Sequence, residues 1–166
     1  MIKKLLVLVV VVIALVLIVT LKKKADAKNN GQHYALDAGL KSKTMGFKII
    51  GTDETVEIKQ KDKQWVTGIK DFPADTGKVA RAIKLLFELQ NKEVISRNPE
   101  RAKEYGLDSL TRKRVEIYDV NGKTLKAVYI GKNSGTDYNS NYWKMESGDE
   151  VYITPGAISF DFSNFE

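Results

Sequence analysis

The chain has 166 residues, a formal charge of +6 and no cysteine. The missing cysteines exclude disulfides, thiolate nucleophiles, thiolate zinc sites and a lipid anchor on cysteine. The basic excess is confined to the N-terminus: residues 1–30 contain six lysines and one aspartate, so residues 31–166 carry one net positive charge. A nucleic-acid-binding domain needs a net basic face, so no nucleic-acid partner is expected, and the basic run at residues 112–114 is interpreted as a solvated strand end.

One unbroken apolar run extends from Leu5 to Leu21, with lysines on both sides. As a helix it spans about 25 Å at about 1.5 Å per residue, the lower limit for a bilayer crossing of roughly 17–25 residues. The alternative is a cleaved signal peptide, since Ala25-Asp26-Ala27 is a small-x-small site, but the apolar core is longer than such signals use. We predict a single-pass membrane anchor at residues 1–24, which makes membrane lipid a partner.

The domain organisation follows from composition. Residues 25–44 are polar and predict a linker, and residues 45–166 are enough for one domain with one core. The lysine count on the two sides of the apolar run slightly favours a cytoplasmic domain under the positive-inside rule, without deciding the orientation.

The first half of the domain predicts a sheet followed by a helix. Period-two alternation from Phe47 to Gly68 predicts three short antiparallel strands. Asp75 is then a suitable N-cap for a helix that runs to about Gln90. Its apolar positions repeat with the helical period and predict one buried stripe: Val79, Ala82, Ile83, Leu86 and Leu89.

The second half predicts a short helix and more strands. Asn98 as N-cap, Pro99 at the first helical position and Gly106 as a left-handed terminator define the helix. Asn121-Gly122 predicts a two-residue hairpin turn, with a return strand over residues 125–130, a loop over 131–140 and a last hairpin at 142–153. The fold class is therefore α+β: an antiparallel sheet packed with one amphipathic helix and one short helix, after an N-terminal transmembrane helix.

A search for catalytic motifs identifies none. Gly131-Lys132-Asn133-Ser134 lacks both the earlier glycine and the hydroxyl residue of a phosphate loop. A Ser-His-Asp triad would need the sole histidine, His33, which lies in the linker. The adjacent acids at residues 53–54 and 149–150 lack the spacing of a calcium loop. We therefore expect no catalytic residue, no metal and no cofactor, and no enzymatic activity.

Several motifs together resemble a bacterial family of membrane-anchored proteins, the domain of unknown function 4340. The resemblance covers roughly residues 45–154 and departs from the family pattern at Ser109-Leu110, where a proline is common, and in having one copy of the module. The residues that carry it are Trp65, Pro73, Ala74, Asp75, Tyr105, Gly106, Leu107, Asp108 and Gly131. From the residues alone, Asp75 is expected to cap a helix, Gly106 to turn left-handed and Trp65 to fill the core.

The resemblance implies a non-catalytic accessory role at the outer face of the cell membrane, because such proteins are often encoded beside ABC-type transporter permeases, some of them linked to gliding motility. A permease is then the expected protein partner. The alternative is an envelope protein that binds carbohydrate or peptide, or a hydrolase, that uses carboxylates together with Tyr138 and Tyr142 around the loop at residues 131–140.

Overall fold

The computed structural model describes residues 35–90, 93–135, 139–156 and 158. The chain divides into two units after residue 33, and every described residue belongs to the second unit. The predicted anchor at residues 1–24 lies outside the described residues. Within the described part, no helix combines the length and the apolar character that a membrane crossing requires.

The described domain is an antiparallel sheet with short helices, so the α+β prediction is confirmed for this part of the chain. The helices are α1 (Ala38–Lys41), α2 (Thr76–Phe87) and a 3₁₀ helix (Pro99–Tyr105). The described strands are β1 (Gly46–Ile50), β2 (Thr55–Lys61), β3 (Gln64–Thr67), β4 (Phe72–Pro73), β5 (Val94–Ser96), β6 (Lys113–Tyr118), β7 (Thr124–Asn133), β8 (Ser140–Met145) and β9 (Val151–Pro155). They form one sheet in the order β4-β3-β2-β1-β6-β7-β8-β9-β5.

Two four-stranded meanders make up most of this sheet. Strands β1–β4 form one and β6–β9 the other, and in each the consecutive strands pair antiparallel. The first strands of the two meanders, β1 and β6, pair with each other, with Phe47 opposite Ile117 and Ile49 opposite Val115. The predicted three-stranded meander is therefore confirmed, and the short strands β4 and β5 extend the two edges.

The domain begins earlier than the predicted linker boundary. The amide of Ala35 donates to the carbonyl of Leu89 at 2.8 Å, and Leu36 is buried in the main core. Asp37 caps α1 by accepting a hydrogen bond from the Gly39 amide at 2.6 Å. Residues 35–44, which the sequence assigned to the linker, therefore belong to the domain.

Helix α2 begins where the sequence predicts and ends earlier. The Asp75 carboxylate accepts hydrogen bonds from the amides of Gly77 and Lys78, and the helix ends at Phe87 rather than near Gln90. Its apolar stripe covers one face of the sheet, here called the α2 face. The main core between them includes Phe47, Ile49, Ile58, Val79, Ala82, Leu86, Leu89, Val115, Ile117, Val128, Ile130 and Trp143.

The 3₁₀ helix packs on the opposite side of the sheet, here called the second face. Asn98 caps it by accepting from the Glu100 amide at 3.0 Å, Pro99 occupies its first turn and Gly106 ends it with a φ of 65°. Because strand side chains alternate between faces, Tyr142 and Val151 point away from the main core. They form a second, smaller core with Tyr105, Leu107, Ile95, Ala102 and Tyr129.

The expectation that Trp65 fills the core is only partly met. Trp65 is half-buried at the margin of the main core. The fully buried tryptophan is Trp143, whose ring stacks on Tyr152 with the centroids 4.8 Å apart.

Two loops differ from their predictions. Asn121-Gly122 belongs to a five-residue loop in which the Asp119 carboxylate accepts from the amides of Asn121 and Lys123. Only Gly122 has a positive φ there, 74°, so the two-residue turn was wrong. A two-residue turn occurs instead between β2 and β3, where Asp62 and Lys63 have φ values of 50° and 66°. Strand β7 continues to Asn133, so residues 131–133 are strand and not loop.

Candidate interaction surface

Four of the family-motif residues lie together at the start of α2. Strand β4 pairs with β3, which places Pro73 opposite Val66. The amide of Ala74 then donates to the carbonyl of Trp65 at 2.9 Å. This pairing leads the chain directly into the Asp75 cap. These residues therefore fix where the helix leaves the sheet edge.

Four other motif residues meet on the second face: Tyr105, Gly106, Leu107 and Gly131. Together with Lys132, which is not a motif residue, they form a contact that we call the glycine joint. A Cβ atom on Gly131 would lie 2.2 Å from the Tyr105 carbonyl oxygen and 3.0 Å from Leu107 Cγ. A Cβ on Gly106 would lie 2.8 Å from the Lys132 amide nitrogen. Contacts this short exclude any larger residue, so two residues far apart in the sequence allow one close approach of backbones.

Asp108, the remaining motif residue, organises the loop that follows the joint. Its carboxylate accepts from the Leu110 amide at 2.9 Å and from the Thr111 hydroxyl at 2.7 Å. These hydrogen bonds, that of Thr111 first, lower the pKa of Asp108 below its usual value. The loop carries the chain from the glycine joint to the start of β6.

A cleft of about 360 Å³ lies between this loop and the β1–β2 loop. The Thr52 hydroxyl donates to the Leu110 carbonyl at 2.9 Å and ties the two loops together. The residues that line the cleft include charges of both signs. They are Gly51, Thr52, Asp53, Glu54, Thr111, Arg112 and Lys113.

Away from the glycine joint, the second face carries a set of charges that pair with one another. Lys48 on β1 lies opposite Glu57 on β2 and Glu116 on β6, and its Nζ is 3.5 Å from Glu57 Oε1. Arg114 forms ion pairs with both Glu116 and Glu146. We call these five charged residues the charge ladder. Opposite charges that face each other across strands stabilise a sheet without creating a net basic surface.

Tyr129 lies at the end of the charge ladder, in register with Arg114 on β6 and Lys144 on β8. The Arg112 guanidinium lies 4.0 Å from the centre of its ring, and Lys144 Nζ lies 5.9 Å from it. Its hydroxyl donates to Glu146 at 3.3 Å. Hydrogen bonding to Arg114 lowers the pKa of Glu146. The result is a half-buried aromatic side chain with cations on it, a composition that is enriched in protein interfaces.

Of the two tyrosines named in the alternative hypothesis, the structure describes only Tyr142. Tyr142 is half-buried and meets Tyr105 edge-on, with the centroids 4.9 Å apart. Tyr138 lies outside the described residues. Among the residues that the structure describes, no group of three or more histidine, cysteine or acidic side chains is placed to hold a metal ion.

The exposed large apolar side chains of the described domain include Ile69, in the turn between β3 and β4, and Phe72, the first residue of β4. Ile69 is 104% exposed and Phe72 is 58% exposed. The segment Gly68–Phe72, here called the Ile69 tip, is held by Asp71, whose φ of 54° is unusual for a residue with a side chain. Lys59 and Lys61 each place Nζ 2.7 Å from an Asp71 oxygen. These contacts, with Lys59 first, lower the pKa of Asp71 to about 2.

Sequence reasoning did not identify the charge ladder or the Ile69 tip. The ladder depends on strand register, which brings together residues of β1, β2 and β6 with Glu146, the residue that follows β8. The sequence contains one local sign of an exposed Ile69. This residue stands between Gly68 and Lys70 in a stretch where apolar and polar residues do not alternate. Lys59 and Lys61, whose ammonium groups contact Asp71, lie on β2, and no local sequence pattern assigns them to the tip.

A family model described as "Domain of unknown function (DUF4340)" matches residues 65–165. The match begins at β3, so strands β1 and β2 precede it although β1 lies in the middle of the sheet. The comparison with curated proteins found no match, and neither did the comparison with solved structures. Because the family model covers more than half of the chain, including both groups of motif residues described above, the protein belongs to the DUF4340 family.

Proposed function

We propose that this protein is a single-pass membrane-tethered accessory domain without catalytic activity, and that it serves as an auxiliary component of an ABC-type transport or envelope complex. The apolar run at residues 5–21 supports the tether. The placement of the domain on the outer face follows the resemblance to this family.

The observation that carries the interaction role is the cation-covered Tyr129 at the end of the charge ladder. Helix α2 covers the opposite face of the sheet, and Tyr129 is half-buried at the margin of the second core, where Arg112 and Lys144 lie over its ring. Tyrosine and arginine are the residues that most often carry binding energy at protein interfaces. The paired charges nearby leave little net field, which suits a specific protein contact better than a polyanion.

The test is a pull-down of the full-length protein from membranes of the source organism in a mild detergent. We expect permease or ATPase subunits to be recovered with the native chain. Arg112→Ala and Tyr129→Ala should each reduce that recovery about tenfold, the effect of an interface hot spot.

Arg101→Ala is the matched control, because Arg101 also lies over a tyrosine ring, 5.7 Å from the centre of Tyr105, but on the 3₁₀ helix. Its recovery of subunits should equal that of the native chain. Recovery of the bare protein alone would refute the proposal. Protease added to intact cells, which cleaves an outer-face domain and spares an inner-face one, tests the orientation.

A further inference from the structure

The Ile69 tip combines two fully or largely exposed apolar side chains with a local positive charge. Asp71, the residue before Phe72, has the ammonium groups of Lys59 and Lys61 2.7 Å from its carboxylate oxygens, and the exposed Lys70 directly follows Ile69 in the sequence. These three lysines and one aspartate sum to a net charge of +2, in a domain that is otherwise close to neutral. Exposed apolar residues beside basic ones are the composition of segments that bind at a membrane interface.

The tip is also held in a defined shape. Asp71 adopts a left-handed conformation that costs free energy for a residue with a side chain, and its two lysine contacts fix it there. The Asp71 amide donates to the Gly68 carbonyl at 3.3 Å and closes the turn. Ile69 is thus presented to solvent by a preorganised turn, so little conformational entropy is lost when it binds.

We propose that the Ile69 tip is a second membrane contact, which inserts Ile69 and Phe72 among the headgroups of an anionic bilayer while Lys59, Lys61 and Lys70 face the lipid phosphates. This inference rests on the proposed tether. A tethered domain meets the membrane at a high effective concentration, so a contact of two apolar and three basic side chains is sufficient. The contact would orient the domain on the bilayer.

The absence of cysteine allows a site-specific test with the full-length chain. Ile69→Cys carries an environment-sensitive fluorophore, and the protein is reconstituted into nanodiscs of phosphatidylglycerol or of phosphatidylcholine. We expect the fluorophore to shift to shorter wavelength and to lose most of its quenching by acrylamide in the anionic nanodiscs only. Val120→Cys is the matched control, since Val120 is 76% exposed in the β6–β7 loop, at the other end of the sheet. Its label should stay accessible to acrylamide in both lipids.

A second variant tests the basic residues without touching the Asp71 contacts. Lys70→Glu in the Ile69→Cys background should restore acrylamide quenching in anionic nanodiscs. Equal accessibility of position 69 in both lipids, or equal shielding of positions 69 and 120, would overturn the proposal. Extraction of the unlabelled native chain from membranes by alkaline carbonate would refute the tether itself. A chain that resists extraction but leaves position 69 accessible refutes only the tip contact.

Discussion

Different forces hold the glycine joint, where the end of the 3₁₀ helix meets β7, and the Ile69 tip, which joins β3 to β4. At the joint, Gly106 and Gly131 let backbones approach so closely that a Cβ on Gly131 would lie 2.2 Å from a carbonyl oxygen. At the tip, Asp71 holds an unusual conformation through two lysines at 2.7 Å, while Ile69 contacts little but solvent.

This difference separates the residues that make the fold from those available for binding. Close packing is insensitive to salt and pH, whereas exposed ion pairs are screened by salt and titrate with acid. Eight of the nine motif residues of the family lie at the start of α2 or in the glycine joint, where they fix the path of the backbone. The motif therefore specifies the scaffold, and the surfaces proposed to bind partners lie outside it.

The largest effect is expected for Gly131→Ala. Its methyl group has no room between the Tyr105 carbonyl and Leu107, so the 3₁₀ helix must move off the sheet, which costs about 3 kcal/mol. Thermal unfolding of the full-length chain in micelles, followed by circular dichroism, should show a melting temperature lower by about 10 °C.

Gly148→Ala is the control for this substitution, because a Cβ on Gly148 meets no atom within 4 Å. Its melting temperature should stay close to that of the native chain. The loss in Gly131→Ala should also be the same at low and high salt. A native-like melting temperature for Gly131→Ala would show that the joint is not tightly packed.

A smaller effect is expected for Gly106→Ala. The left-handed φ of 65° costs an alanine about 1–2 kcal/mol, and its methyl group also approaches Lys132. Gly106→Asn separates the two causes, since asparagine tolerates the left-handed conformation but has the same Cβ. Urea unfolding should rank the stabilities as glycine above asparagine above alanine. An asparagine variant as unstable as alanine would assign the whole cost to the contact with Lys132.

Local sequence patterns predicted those parts of the fold that interactions between neighbouring residues determine. The Asp75 cap, the Val79–Leu86 stripe and the Asn98-Pro99 start each depend on residues within one or two helical turns, and the structure confirms them. The first meander was predicted because its strands alternate apolar and polar residues. The family was also identified from its motifs.

The errors share a cause in long-range contacts. Asn121-Gly122 has the composition of a two-residue turn, yet the Asp119 side chain organises a longer loop. Gly131 suggested a loop, although it is a strand residue whose missing Cβ accommodates Tyr105. Neither the pairing of β1 with β6 nor the ion pairs of Asp71 could be read from neighbouring residues, because they depend on strand register.

The smallest effect concerns Asp71 and depends on pH. Its pKa falls from 3.8 to about 2 in the folded chain, so the ionised form favours folding. That stabilisation is complete above about pH 5 and is lost as the pH falls through 3.8 toward 2. In Asp71→Asn the side chain still tolerates the left-handed conformation, but the ion pairs are absent. The difference in melting temperature between native and Asp71→Asn chains should therefore be greatest near neutral pH, be much reduced near pH 2 and vanish only below it.

Asp62→Asn is the matched control, because Asp62 is an exposed aspartate that also has a positive φ, 50°, in the turn between β2 and β3. Its substitution leaves both lysine contacts of Asp71 in place, so its effect on the melting temperature at neutral pH should be smaller than that of Asp71→Asn. High salt should reduce the Asp71→Asn effect, whereas it leaves that of Gly131→Ala unchanged, because ions screen exposed charges and not steric overlap. If the Asp71→Asn difference stayed constant from neutral pH to pH 2, the tip would be held by its backbone turn and not by its lysines.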